Sequence, residues 1–447
     1  GILQYFGIDY FKTNFFMKLI TPASLKNFQG SLTPKFPEKT IFSTLYNQNY
    51  VGSYVAMLMP VVLILFFSVK KPLHKILLAA LFCLSFICWI GCDSRAGLVG
   101  GVLAFIVILV MFRKKILRHK AVAIAAIVLL SGGLVVFNFA TDGSVAARLK
   151  RMATLENKED PAAAESRSAL DKSLEGLLDV SMDSSKVNLI TGKGAFHVMV
   201  DDGKLTFYDE NTNALETVLD NNAVSFTDTR FQNIRLSLQP EDGLMELYYN
   251  DFHLIDVVLT KDGLLSTSNR WMTYRNDREI ESFGFEGMET SGSNRGYIWS
   301  RTLPLLKDTV LIGKGPDTFP IYFPQYDFLP KLKYYGTGGI FVDKPHNMYL
   351  QTALNTGIVS LLAMLALFGM YFVSSIRIYI KEDFTDFLPI AGLACFAAFC
   401  GYAAAALFND SVVSVAPVFW TLLGTGIGIN IKLGKLKKEE PVITTQR

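Results

Sequence analysis

Runs of apolar residues long enough to cross a bilayer, separated by short clusters of Lys and Arg, leave this chain few folds to choose from. A helix needs about 20 mostly apolar residues to span hydrocarbon, somewhat fewer where flanking side chains snorkel. Such stretches lie near 50–69, 76–92, 97–112, 121–140, 347–372 and 388–431. The last is long enough to divide at "FNDS" (408–411), so seven spans are expected. Half of the 447 residues are hydrophobic and 13% are aromatic, too greasy for an ordinary soluble chain of this length. Net charge is only +3, which points to no general polyanion or nucleic-acid partner. The chain begins at Gly1 rather than Met, in "GILQYFGIDYF", and reads as a fragment or mature form; no basic segment precedes an apolar core there, as a signal peptide would require.

The placement of basic residues orients the spans. "VKKPLHK" (69–75), "RKKILRHK" (113–120), "RIYIKED" (377–383) and "KLGKLKKEE" (432–440) are rich in Lys and Arg, and such loops stay cytoplasmic. Strict alternation then puts the approach to Asn49, the corner "CDSRAG" (92–97), all of 141–346 and "FNDS" on the other face of the cytoplasmic membrane. The basic "ARLKRM" (147–152) falls outside as well, but long domains translocate largely regardless of charge.

The long excursion is composite. Residues 141–185 carry Ala, Leu, Glu and Lys at helical spacing, interrupted at Pro161. Farther on, "FQNIRLSL", "MELYYN" and "FHLIDVVL" are punctuated by Asp202-Gly203, Asp242-Gly243 and Asp262-Gly263, which are hairpin signals. Helical period returns in "NRGYIWSRTLPLLKD", where Arg295, Trp299, Leu303 and Leu306 are expected on one face. The expected organisation is a membrane part of about four spans (1–140), a helical linker (141–185), an inserted antiparallel β domain (186–290), a loop carrying candidate residues (291–346), a membrane part of about three spans (347–431) and a cytoplasmic tail (432–447). Within the insert, Phe207, Tyr208, Phe231, Tyr248, Tyr249, Trp271 and Tyr274 supply aromatic faces. Most are expected in the core, and any left exposed in a cluster would stack on sugar rings. The five cysteines, Cys83, Cys88, Cys92, Cys395 and Cys400, lie in or beside spans and read as packing residues rather than disulfide or metal partners.

Chemistry concentrates at three positions. Arg95 sits in a corner of few residues between two spans, where an ionisable side chain either snorkels to headgroups or serves a wet cavity. Arg295 alone reads as a helix-surface charge, and His346 alone as a capping or interface histidine. Together they place two guanidinium forks, suited to phosphate oxygens, and a proton acceptor on one face of the membrane. That combination points to diphosphate chemistry at the bilayer surface. No Asp-x-Asp occurs, so the metal clamp of nucleotide-sugar transferases is missing. "GKGPDTF" (313–319) lacks the Lys-Ser/Thr of a phosphate-binding P-loop; its glycines read as a tight turn seating Phe319.

"NQNYVGSY" (47–54), "SRAG" (94–97), "NRGYIW" (294–299), "GKGPDTF", "PHNMYLQTALNTGI" (345–358) and "FNDSVVSVAPVFWTLLG" (408–424), in this order, resemble the O-antigen ligase and polymerase superfamily. The resemblance covers most of the chain except about 141–290. It implies a polytopic α-helical membrane protein, GT-C-like, that moves a glycan from an undecaprenyl diphosphate carrier onto a glycan or lipid-linked acceptor hydroxyl outside the membrane, with no metal or other cofactor. The family's functional arginines carry over to Arg95 and Arg295 and its histidine to His346, with Ser94, Asn347, Asn49 and Asp410 supporting them. Asp343 or Asp410 is the next candidate base. The family has ten or more spans, so several are expected ahead of Gly1, and the β insert is not part of its core. The competing reading is a transporter or sensor whose β domain binds a ligand.

Overall fold

The computed structural model describes residues 1–9, 40–45, 47–118, 168–183, 185–201, 204–260, 263–268, 272–274 and 280–439, with isolated positions between 13 and 146. The expected span at 121–140 and most of the expected linker lie outside the described residues. The longer helices are α1 (Gln48–Phe66), α2 (Pro72–Gly91), α3 (Arg95–Met111), α4 (Ser291–Thr302), α5 (Phe328–Tyr335), α6 (Met348–Thr356), α7 (Ile358–Tyr379), α8 (Phe387–Ala405) and α9 (Ala416–Glu439). Among the described residues between α3 and α4 run eleven strands, β1 (Leu177–Met182), β2 (Lys186–Thr191), β3 (Gly194–Asp201), β4 (Lys204–Asp209), β5 (Thr217–Asp220), β6 (Ala223–Phe226), β7 (Ile234–Gln239), β8 (Leu244–Tyr249), β9 (Phe252–Thr260), β10 (Gly263–Ser268) and β11 (Met272–Tyr274). The chain is a membrane protein with an inserted β domain. It forms two compact units, one of Gly1–Glu156, His346–Tyr349 and Ser360–Arg447, the other of Asn157–Pro345 and Leu350–Val359.

In the first unit, α1, α2, α7 and α8 are long and apolar enough among the described residues to cross a membrane, and α3 is a shorter apolar helix. α8 is the central element, buried along nearly its whole length, and it packs on α1, α3 and α9. Small residues make that approach possible. A Cβ on Gly97 would lie 2.6 Å from the Cα of Gly52, and one on Gly100 would lie 2.3 Å from the carbonyl oxygen of Gly401. Lipid tails are as apolar as leucine, so helices in a bilayer gain from close van der Waals contact rather than from burial, and glycine permits the closest contact. Around this seam, Met57, Ile108, Phe368, Phe396, Phe399 and Phe419 fill a shared core.

The single span expected at 347–372 is two helices. α6 stops at Thr356 and α7 starts at Ile358, the break falling on Gly357 at φ 106, where a Cβ would lie 2.7 Å from the Leu311 carbonyl oxygen. Glycine there both adopts the left-handed backbone and admits the neighbouring chain. The membrane-length segment is therefore Ile358–Tyr379.

In the second unit the strands form two antiparallel sheets, β1-β2-β3-β4 and β11-β10-β9-β8-β7-β6-β5, each joining only consecutive strands. They face each other over one core: Leu189, Phe196 and Val198 from the first sheet, Phe226, Leu236, Leu247 and Val257 from the second, and Phe328, Leu329 and Leu332 of α5. Phe196 meets Phe226 edge to face at 4.8 Å. Asp242-Gly243 falls at the hairpin between β7 and β8, while Asp202-Gly203 and Asp262 lie outside the described residues. The alternation fails in "FHLIDVVL" because the β8–β9 register shifts at Leu247/Tyr248, burying both Leu254 and Ile255. Phe231 and Tyr249 are buried and Phe207 packs on the core, whereas Tyr208 and Tyr248 stay partly exposed on different sheets. Trp271 lies outside the described residues.

Trp299 and Leu306 of the expected face pack on one cluster, but the α-helix there is shorter than the periodicity suggests. Residues Gly292 to Asn294 are left-handed, so right-handed helix starts at Arg295, and from Leu303 the chain tightens into a 3₁₀ helix to Thr309 with Pro304 in its first turn. Three residues per turn keeps Leu306 on the same side as Leu303.

Candidate functional site

The corner before α3 is built by its own polar residues. Asp93 is left-handed at φ 53, and Ser94 caps α3, its Oγ accepting from the Gly97 amide at 3.1 Å. The same hydroxyl donates to Asn49 Oδ1 at 3.1 Å. Arg95, half-buried, is the first residue of α3. Trp89 braces the turn, its Nε1 donating to the Gly97 carbonyl at 2.8 Å. Asn49 lies in the first turn of α1, where Asn47 accepts from its amide at 2.8 Å.

The loop after α8 extends this layer. Asn409 is buried, and its Nδ2 reaches the Asn49 carbonyl at 3.1 Å and Ser53 Oγ at 2.6 Å. Its neighbour Asp410 has a fully buried side chain, with Oδ2 2.8 Å from His346 Nδ1. The other carboxylate oxygen, Oδ1, is buried with no hydrogen-bond partner. A carboxylate in that setting is costly unless paired, so the imidazole contact is the main compensation in view.

Residues 346–349 are fastened to the end of α8. His346 is left-handed at φ 50, while Met348 donates its amide to the Ala406 carbonyl at 2.9 Å. Asn347 Nδ2 donates to the Leu407 carbonyl and its Oδ1 accepts from the Tyr349 amide, both at 2.9 Å. Tyr349 Oη donates to the Ala403 carbonyl at 2.7 Å. Six of the seven residues singled out from sequence, Asn49, Ser94, Arg95, His346, Asn347 and Asp410, thus belong to one unit. Ser53 and Asn409 join them and were missed, although Asn409 sits inside the polar "FNDS" that interrupts an apolar run.

Arg295 belongs to the other unit, at the switch from the left-handed turn into α4. The turn is tied down by Asn294, whose amide donates to the Thr290 carbonyl at 3.2 Å and whose Nδ2 donates to the Tyr334 carbonyl at 2.9 Å. Arg295 Nη1 donates to the Gly292 carbonyl at 2.6 Å. Asp343 is exposed and 3.9 Å from Lys344. Phe319, after the turn at Gly313–Gly315, is buried with Tyr297, Phe323, Val342 and Leu354.

A second polar group in this unit escaped the sequence reading. Arg301 Nε donates to Asp327 Oδ2 at 2.9 Å, and its guanidinium lies 5.1 Å from the Tyr297 ring centre. Lys331, almost wholly buried, donates from Nζ to the Gln325 carbonyl at 2.7 Å. Burial pushes the Lys331 ammonium down to about 7, the Asp327 charge acting the other way. Burial also raises the Asp327 carboxyl, with Arg301 opposing, and holds the Tyr297 phenol well above its ordinary value. The Asp327-x3-Lys331 spacing reads on sequence as an exposed helix pair, and only the packing of α5 on the sandwich buries it.

Among the described residues no group of three or more His, Cys, Asp or Glu side chains is placed to hold a metal ion. Residues 255–365 match the family described as O-Antigen ligase, a stretch that contains Arg295 and His346. The match does not favour the transporter or sensor reading. No curated protein and no solved structure matches the chain.

Proposed function

We propose, from the match at residues 255–365, that this chain is a member of the O-antigen ligase superfamily, a GT-C-like, polytopic enzyme of the cytoplasmic membrane with residues 141–346 extracytoplasmic. Its reaction is transfer of a glycan from undecaprenyl diphosphate to an acceptor hydroxyl, as a ligase or a polysaccharide polymerase. The observation that carries this reading is the His346–Asp410 pair, 2.8 Å apart and set in the polar layer that also caps the helix of Arg95.

With Asp410 accepting, His346 Nδ1 carries a proton and Nε2 is left to take another. The acceptor oxygen attacks the anomeric carbon, its proton passes to His346 Nε2, and the bond from that carbon to the diphosphate oxygen breaks with inversion. Arg95 and Arg295 hold the leaving diphosphate, whose growing charge the guanidinium forks offset. Asn49, Ser94 and Asn347 hold the helix ends that position these groups. The reaction as written calls for no metal or other cofactor.

Reconstituted protein given a lipid-linked glycan and an acceptor should form the elongated product and free undecaprenyl diphosphate, and cells lacking the gene should accumulate lipid-linked glycan. Neither product nor accumulation would overturn the transfer reading. Arg95→Lys and Arg295→Lys keep charge but lose the fork, so turnover should fall far more than protein level. His346→Ala should lower turnover by about 10²–10⁴-fold, the range for losing a general base, with donor binding retained. Full activity in the histidine variant would move the base to another residue.

A further inference from the structure

We infer that Val310-Leu311-Ile312 is a membrane-dipping loop, held in the acyl region of the bilayer beside the start of α7. These three residues follow the 3₁₀ helix and are 50%, 75% and 80% exposed, the last two among the most exposed large aliphatic side chains in the second unit. They are not exposed for want of order. The Val359 amide donates to the Val310 carbonyl at 3.2 Å, the Lys314 amide to the Leu354 carbonyl at 2.7 Å, and the Gly315 amide to the Asn355 carbonyl at 3.0 Å. Gly357 lets the loop press directly on the turn between α6 and α7. The backbone is fixed, and it turns aliphatic side chains outward.

Continuity identifies the occupant. Val359, which holds the loop, is the second residue of a membrane-length helix whose outer side continues through exposed Val359, Leu362, Leu365 and Met370. Exposed apolar side chains held by hydrogen bonding to the first turn of a membrane-length helix mark a contact, and Val359 at that turn is itself exposed. Charges bracket the triplet, Lys307 and Asp308 before it and Lys314 after it, with Lys314 Nζ 3.6 Å from Asp308 Oδ2. Apolar tip and charged flanks fit the acyl and headgroup layers of a bilayer interface. The inference rests on the membrane assignment and not on glycan transfer.

The test uses the whole chain in phosphatidylcholine/phosphatidylglycerol vesicles, with the exposed Cys83 replaced by Ser and an environment-sensitive fluorophore on Ile312→Cys. Lipids bearing a nitroxide on the acyl chain should quench it several-fold more than the same label on Asp251→Cys, whose native side chain is 92% exposed on a sandwich hairpin. Leu311→Cys supplies the same reading if the first variant folds poorly. Equal quenching at 312 and 251 would overturn the inference. So would quenching at 312 that arises only on adding polyprenyl diphosphate, since the loop would then line a site for the carrier.

Discussion

Where α1, α3 and α8 meet, contact is made by the smallest residues in the chain, Gly52 against Gly97 and Gly100 against Gly401, with Ser53, Ser94, Asn49 and Asn409 hydrogen-bonded among them. The β sandwich does the opposite, filling its interior with Phe196, Phe226, Phe231 and branched aliphatics. The difference follows from the solvent. In water, removing large apolar groups from solvent drives folding at about 25 cal/mol per Å². In lipid that drive is missing, and close backbone contact with a polar layer takes its place. A polar layer needed for structure is also at hand for chemistry, and every candidate residue named from sequence except Arg295 and Asp343 lies in the first unit.

The comparison breaks most readily at its tightest point. Gly97→Leu should prevent the helices from assembling, seen as loss of monodisperse protein after detergent extraction, because the Cα of Gly52 is a backbone atom and has no rotamer to yield. Normal yield and elution would mean that close approach is not what holds α1 and α3 together. In the sandwich the corresponding loss is a large side chain: Phe196→Ala should cost about 3–5 kcal/mol, read as earlier thermal or proteolytic unfolding of the insert while the helical part stays extractable. Unfolding of both parts together would show that the two are not independent in this respect.

A smaller effect comes from the charge buried under the sandwich. Below about 7 Lys331 is protonated in folded and unfolded chain alike, and the folded state bears the cost of burying it. As pH rises through 7 the folded lysine loses its proton while the unfolded one, near its ordinary 10.5, keeps it. The unfolded state then binds more protons, so stability should climb with pH across this window, by an amount on the order of a few kcal/mol. Lys331→Met should flatten that slope in denaturant titrations between pH 7 and 10. An unchanged slope would assign it to other groups. The smallest expected effect is at Asn409→Ala, which removes both donor contacts to α1 and should cost about 1 kcal/mol, since interhelical hydrogen bonds in membranes average about 0.6 kcal/mol each. A loss of transfer activity well beyond that stability change would tie the polar layer to the site.

Spans and hairpins were legible because each is a local pattern: apolar length for α1, α2 and α8, and Asp-Gly for the turn at Asp242-Gly243. Other turns were less legible. Asn221-Asn222 and Asn250-Asp251 close hairpins with both central residues at positive φ, a geometry that Asn and Asp tolerate but announce weakly. The break at Gly357 was hidden because a lone glycine in an apolar run is tolerated in a helix, and its reason is the Leu311 carbonyl far away in sequence. Within the site, His346 and Asp410 could each be named from motifs. Their pairing could not, because 64 residues and three helices separate them.

The strand order carries a consequence for biogenesis. Every pairing in the sandwich joins strands adjacent in sequence, so its contacts are local and each hairpin has its partner as soon as the next strand is made. α1 and α3 have no such luck, because α8 begins more than a hundred residues after β11. At ordinary synthesis rates that interval is on the order of ten seconds. The side of α3 at Gly100, which meets Gly401 of α8, therefore waits in the bilayer, exposed to any other membrane helix with a small-residue face, while the sandwich beyond it has already closed.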